Sequence, residues 1–126
     1  MLKDATLYSV LPAKDCDRLR MYLSEKLGLG PVNEMAGMLI YELGGSKLLV
    51  YESAFAGTNQ ATAVSMKVAD LEIVVDDLKS KGVVFEHYDM PGTTVMGDIH
   101  ARAVMPGKSV WFKDTEGNII NINQST

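Results

Sequence analysis

The sequence predicts an α+β fold built from two similar halves, and three observations carry that prediction. A strand pattern, an aspartate, a helical pattern and a glycine follow one another twice, with Asp15 and Asp70 at matching places. Glycine-bearing turns between strand-forming runs mark hairpins after each helix. The chain closes on VWFKDTEGNIINI, Val110–Ile122, in which two such runs flank Asp-Thr-Glu-Gly-Asn.

The first half opens with a strand over Ala5–Ala13, weighted by Leu7, Val10 and Leu11. Asp15 is a helix N-cap, because its carboxylate can accept from the unpaired amides of the first turn. Leu19, Tyr22, Leu23 and Leu27 recur at three and four residues, which makes one apolar helix face ending at Gly28. Met38–Leu43 and Lys47–Glu52 then flank Gly44-Gly45-Ser46, a hairpin turn. In the second half, Val64, Met66 and Val68 alternate as in a half-buried strand. Asp70 caps a helix carrying Leu71, Val74, Val75 and Leu78 and stopped by Gly82. Val83–Tyr88 reads as a strand, and Ser109–Lys113 and Asn118–Asn123 as a terminal hairpin turning at Gly117. A shift of 55 residues lays Asp15 on Asp70, Leu19 on Val74 and Leu23 on Leu78. Two such units also arise by chance, but the matched apolar positions argue for duplication. Residues 89–108, with Pro91, Gly92, Gly97, Pro106 and Gly107, read as a long irregular loop, a kind of segment that often serves function.

The chain's 126 residues suffice for one domain of two small modules, about 5–55 and 60–124. Its net charge of −4 and scattered basic residues argue against a nucleic-acid partner. No apolar run approaches the ~20 residues of a membrane span, and the N-terminus does not read as a secretory signal, so no membrane partner is expected. Cys16 stands alone, which rules out an intramolecular disulfide and fits a reducing, cytoplasmic setting.

Three features invite chemistry. His87 and His100, with Glu86, Asp89 and Asp98 nearby in sequence, are a conceivable metal site; the blander reading has both as polar residues at strand ends or in loops. Cys16 in a first helical turn is a conceivable nucleophile; its match to Leu71 favours a packed thiol. Gly44-Gly45-Ser46-Lys47 ends like a phosphate loop but lacks the upstream glycine and the strand-to-helix context.

WFKDTEGNIINI resembles the closing hairpin of the vicinal oxygen chelate superfamily, which holds glyoxalase I, bleomycin-resistance proteins, fosfomycin-resistance proteins and extradiol dioxygenases. AKDCDRLRMYLSEKLGLGP and VADLEIVVDDLKSKGVVFE resemble its two strand–helix elements, so the likeness runs from Leu7 to Ile122. It implies paired βαβββ modules whose strands curl around a central cavity, and homodimers in which modules pair within or between chains. Metal-using members place ligands at four strand positions. Here these fall on Tyr8 and Ala63, each seven residues before its aspartate, on Asn121, and on Leu49 or Tyr51. Alanine cannot ligate, and an amide and a phenol are poor ligands for a divalent cation.

The resemblance therefore implies a metal-free small-molecule binding protein with no cofactor, in the manner of drug-sequestering members. The alternative is a lyase, isomerase or dioxygenase of the same superfamily with displaced metal ligands. Whether a reaction is catalysed stays open, and no catalytic residue is assigned. Strand alternation sets Tyr8, Val10 and Pro12 on one face, with Ala63, Ser65 and Lys67, and Ile119, Asn121 and Asn123, facing alike in their own strands. The candidate ligand-binding residues are Tyr8, Tyr51, Trp111 and Asn121, with residues 89–108 closing over them. Met38, Met66, Met90, Met96 and Met105 are either an adaptable wall or part of the core.

Overall fold

Asp15 and Asp70 begin the two helices. Each lies in extended backbone, and each carboxylate accepts from the amide three residues on, Arg18 at 3.0 Å and Ile73 at 3.3 Å. Helix α1 covers Cys16–Leu27 and ends at Gly28, whose φ of 68° places it in the left-handed region that glycine enters without strain. Helix α2 covers Leu71–Ser80. Each helix buries the face its spacing predicts: Leu19 and Leu23 in α1; Leu71, Val75 and Leu78 in α2. The computed structural model describes residues 1–104 and 106–126. Met105, one of the methionines named above, lies outside the described residues.

Strands β1 (Tyr8–Ala13), β2 (Asn33–Met35), β3 (Met38–Leu43) and β4 (Ser46–Glu52) form one sheet in the order β1-β4-β3-β2, with β1 parallel to β4. Strands β5 (Thr62–Lys67), β6 (Phe85–Glu86), β7 (Thr93–Met96), β8 (Ile99–Arg102), β9 (Lys108–Lys113) and β10 (Ile119–Gln124) form the other. Its order is β5-β10-β9-β8-β7, with β6 also on β9 and β5 parallel to β10. The same plan therefore occurs twice: a first strand, a helix, and a last hairpin whose final strand returns parallel to the first. Each helix covers one face of its own sheet. Leu11, Ala13, Leu39, Tyr41, Leu48 and Val50 meet α1; Val110, Phe112, Ile120 and Ile122 meet α2. Tyr22 and Leu27 of α1 pack against both cores, and β1 lies beside β5, so the halves share one interior.

Three expectations need correction. Val83–Tyr88 is not one strand: only Phe85 and Glu86 pair with β9, because Val83 closes the end of α2 through its amide to Leu78 and Val84 points to solvent. Residues 89–108 are not irregular throughout, since β7 and β8 form a hairpin there that extends the sheet. Its two-residue turn, Gly97-Asp98, has the glycine first at φ 64°, as a tight hairpin of that hand requires. Ala63 does not share a facing with Ser65. The β5–β10 register slips between Ile119 and Ile120, so Ile119 pairs with Thr62 and Ile120 with Val64. Such a bulge re-aims side chains; Ala63 packs toward the first core, and Thr62 takes the outer face.

Candidate functional site

Each sheet has an outer face that no helix covers. On the first it is apolar: Tyr8, Val10 and Tyr51 are 38%, 41% and 38% exposed. Tyr8 lies opposite Lys47, whose ammonium sits 5.8 Å from the ring centre, and Tyr51 lies four residues further along β4. At strand rise that separates the two tyrosines by roughly 13 Å.

On the second sheet the uncovered face holds a cavity of about 610 Å³, lined by Trp111, Asn121, Asn123, Thr62, Ser65, His100 and Arg102 among others. Trp111 and Asn121 are direct cross-strand partners. The indole N–H of Trp111 donates to Thr62 Oγ1 at 3.2 Å. Asn121 Oδ1 accepts from the Ser65 hydroxyl at 2.7 Å and from Asn123 Nδ2 at 3.0 Å, while its own Nδ2 donates to the Val110 carbonyl at 3.2 Å. The amide is thus fixed in orientation and nearly saturated, and its oxygen is already engaged. Residues 106–108 and Gln124 border the mouth, and Gly107 is the close approach: a Cβ there would stand 3.3 Å from the Gln124 carbonyl oxygen.

Of the four predicted ligand residues, two line this cavity and two do not. Tyr8 and Tyr51 belong to the other sheet and border neither this cavity nor the smaller one, of about 400 Å³, between Ser9, Lys47 and Met66. Sequence reasoning missed the residues that the β7–β8 hairpin delivers. His100 is 2% exposed and stands edge-on to Trp111, ring centres 4.9 Å apart at 88°. Tyr88 also meets Trp111 edge-on at 5.6 Å. The Tyr88 amide donates to His100 Nε2 at 3.0 Å, so the neutral ring carries its proton on Nδ1. That Nδ1 is buried without a partner, which costs about 1–3 kcal/mol for an N–H. The pairing of His100 with Ser109 is what brings the ring here, and only a hairpin at Gly97 predicts it.

The other tempting groups are structural. His87 and Lys79 both bind Asp98, at 2.7 and 2.5 Å, and the two hold its carboxyl below the usual carboxylate range. Burial, aided by Glu52 and other nearby carboxylates, pushes the Cys16 thiol up, opposite to what a nucleophile needs. Among the described residues no group of three His, Cys, Asp or Glu side chains could hold a metal ion. The positions that the resemblance marks for metal ligands do not fit one either, since Asn121 spends its oxygen on Ser65 and Asn123, and Ala63 offers no donor.

Two halves of this plan, arranged so, match solved structures over nearly the whole chain. One is a glyoxalase/bleomycin resistance protein/dioxygenase from Alicyclobacillus acidocaldarius, with TM-score 0.71, 14% identity, and coverage of 97% of this chain and 92% of that one. The chain has the vicinal oxygen chelate fold. A mutant of the fosfomycin resistance protein FosX from Listeria monocytogenes, complexed with Mn(II) and 1S,2S-dihydroxypropylphosphonic acid, aligns at TM-score 0.73 and 12% identity, covering 100% and 93% of the two chains. TnmS3, an antibiotic binding protein from a Streptomyces species, aligns at TM-score 0.70 and 16% identity, covering 100% and 99%. No family model and no curated protein matches the sequence.

Proposed function

We propose that this vicinal oxygen chelate chain is a metal-independent binding protein for a small organic molecule, held on the outer face of the second sheet. The observation that carries this reading is the pairing of Trp111 with Asn121 in a cavity of about 610 Å³, within the ordinary range for ligand sites. Ala63, Asn121 and Tyr8 at the superfamily's metal positions support it, because none is a good ligand for a divalent cation. That TnmS3, which aligns over the whole chain, is an antibiotic binding protein supports the binding part of this reading.

The apolar outer face of the first sheet supports a homodimer in which a second copy lays Tyr8 and Tyr51 over the open cavity. Both proposed walls would then meet across the subunit boundary, and exposed apolar surface would be removed from water. The lone Cys16 fits a reducing, cytoplasmic setting, and among the described residues no helix is long and apolar enough to cross a membrane.

Trp111 is the chain's one tryptophan, so its fluorescence reports on the cavity. Titrating a panel of planar metabolites and antibiotics is expected to give a saturable change that weakens in Trp111→Phe or Asn121→Ala protein when followed by calorimetry. Elemental analysis that found one equivalent of Zn, Ni, Mn or Fe in untagged protein, lost on Asn121→Ala, would overturn the metal-independent reading in favour of an enzyme.

A further inference from the structure

The polar lining of the cavity divides into groups already spent and groups still open. The side-chain amides are turned to the protein. Asn121 is held at both ends, and Asn123 Nδ2 donates to Ser65 Oγ, to the Met66 carbonyl and to Asn121 Oδ1. Gln124 accepts from the Leu71 amide and donates to the Thr126 carbonyl. The charges are met as well. The Lys108 ammonium is turned to Glu72, 3.1 Å away and outside the cavity, and Arg102 is engaged within the protein. No carboxylate is among the described residues that line the cavity. Hydroxyls are what stays open: Thr93, Ser109 and Ser125 line the same space, and no side-chain hydrogen bond among the described residues holds any of them. Beside them lies a fixed aromatic surface. Trp111 stands on β9 and its indole N–H reaches Thr62 on β5, with β10 between the two. Two strand spacings are roughly 10 Å, which an indole bridges only by lying along the sheet. One face of the ring therefore rests on β10 and the other is turned outward. Ser109 precedes Trp111 by two positions on β9, so it shares that side at about 7 Å.

We infer that the ligand is an uncharged glycoside of a planar aromatic, its flat ring on Trp111 and its sugar hydroxyls on Ser109, Thr93 and Ser125. This inference rests on the binding reading above and names its ligand class. A side-chain hydroxyl rotates to donate or to accept, which suits sugar hydroxyls that do both. Reading a nucleobase edge or a peptide takes donors and acceptors fixed in place, and the amides that would supply them are committed to the protein. An ionised group would leave water for a wall whose cations are already partnered, and its desolvation would go uncompensated.

The test uses the intact protein and four probes in isothermal titration calorimetry. 2-Naphthyl β-D-glucopyranoside carries both parts. 2-Naphthol keeps the ring and loses the sugar, methyl β-D-glucopyranoside keeps the sugar and loses the ring, and 2-naphthyl β-D-glucuronide adds a carboxylate. The naphthyl glucoside is expected to bind at least tenfold more tightly than naphthol or methyl glucoside, and at least as tightly as the glucuronide. Ser109→Ala/Thr93→Val is expected to bring the naphthyl glucoside down to the affinity of naphthol. Neither hydroxyl has a partner among the described residues, so this variant is expected to fold; the comparison of the four probes on the unaltered protein decides the ligand class without it. Equal affinity for naphthyl glucoside and naphthol, a preference that survives the double variant, or a glucuronide bound tenfold more tightly than the glucoside would each overturn the inference. Methyl glucoside binding as well as the naphthyl glucoside would overturn the place given to the aromatic ring. If flat compounds without a sugar still bound and weakened in Trp111→Phe, the small-molecule reading would stand without the inference. If no compound in the wider panel bound, both would fall.

Discussion

The two modules share one plan, yet their closing hairpin turns differ sharply. In the first, Gly44 and Gly45 adopt φ of 52° and 82°, and a Cβ at either would meet nothing within 4 Å. In the second, the turn Asp114–Asn118 buries Asp114, Glu116 and Asn118 and joins three parts of the molecule. Glu116 Oε1 accepts from the amides of Lys14 and Asp15, both at 3.0 Å, just ahead of α1. Arg18 adds a two-pronged pair to the same carboxylate, at 2.7 and 2.9 Å. Asp114 Oδ1 accepts from the Glu116 and Asn118 amides, and Asn118 Nδ2 donates to the Pro12 carbonyl at 2.8 Å. One turn merely reverses the chain; its counterpart fastens the second module onto the first. A duplicated plan thus needs only one of its two turns to be specialised for the halves to be held together.

The largest expected effect is at Gly57, where the segment linking the modules crosses that turn. Its φ is 76°, and a Cβ there would stand 2.4 Å from the Glu116 carbonyl oxygen. The left-handed conformation and the backbone collision together are expected to make Gly57→Ala cost about 3–5 kcal/mol. Gly44→Ala, strained but in open space, is expected to cost about 1–2 kcal/mol. Urea unfolding at one fixed protein concentration measures both; similar losses would show that the two turns are not differently loaded.

Next comes Glu116→Gln. The carboxylate side chain is wholly inaccessible, and its pKa falls from the ordinary 4.5 to about 2, first because Arg18 donates to it, then through the Asp15 amide and Thr115, against the opposing effect of burial. A depressed acid contributes stability that is present above about pH 4.5 and is lost as pH falls toward about 2. Asp114 works the other way. Burial raises its pKa despite its hydrogen bonds to Asn118 and Glu116, so its contribution improves as pH falls through that raised value. The expected loss for Glu116→Gln is about 2–3 kcal/mol at neutral pH, shrinking in acid. A loss that stayed constant down to pH 3 would remove the electrostatic account of the joint.

That joint also marks how far the sequence could be read. Both helices, their aspartate caps, both glycine-bearing hairpins and the outer facing of Trp111 and Asn121 follow from local pattern, because period and turn chemistry are properties of neighbouring residues. The Glu116–Lys14 contact spans 102 positions, and nothing near either residue announces it. His100 at the cavity wall was hidden for a related reason. Its strand is four residues long, and alternation over so short a run is weak beside the prolines and glycines around it. The Ala63 facing failed because a single bulged residue reverses an alternation that the composition cannot mark.

The uncovered faces differ as sharply as the turns, and this difference is testable at smaller amplitude. Val10 lies midway along β1, the edge strand of the first sheet, on its apolar outer face and opposite Leu49. If that face is where two copies meet, Val10→Lys should leave monomer stability within about 0.5 kcal/mol, as for an exposed site. It should also weaken dimerisation at least tenfold, about 1.4 kcal/mol. Sedimentation velocity across a concentration series reads the second quantity. A wild-type chain sedimenting as a 13.7 kDa monomer at micromolar concentration would end the dimer proposal.

The smallest predicted effects are at the two caps, where the modules are most alike. Asp15 and Asp70 hold the same place, and each accepts from the amide three residues on. A further donor at each helix start is met from far along the chain: the Asp15 amide by Glu116, and the Leu71 amide by Gln124 Oε1 at 2.9 Å. Replacing either aspartate by alanine removes one side-chain acceptor and one favourable charge at a helix N-terminus, about 1 kcal/mol in each case. Asparagine should restore most of this, since it keeps the acceptor. Equal losses for Asp15→Ala and Asp70→Ala would mean that capping is local and that the special load of the first helix rests on Glu116 alone. A loss at Asp15 exceeding that at Asp70 by more than about 1 kcal/mol would instead make Asp15 a member of the joint, coupled to Arg18 and Glu116. The double variant Asp15→Ala/Glu116→Gln would then lose less than the two single losses added together.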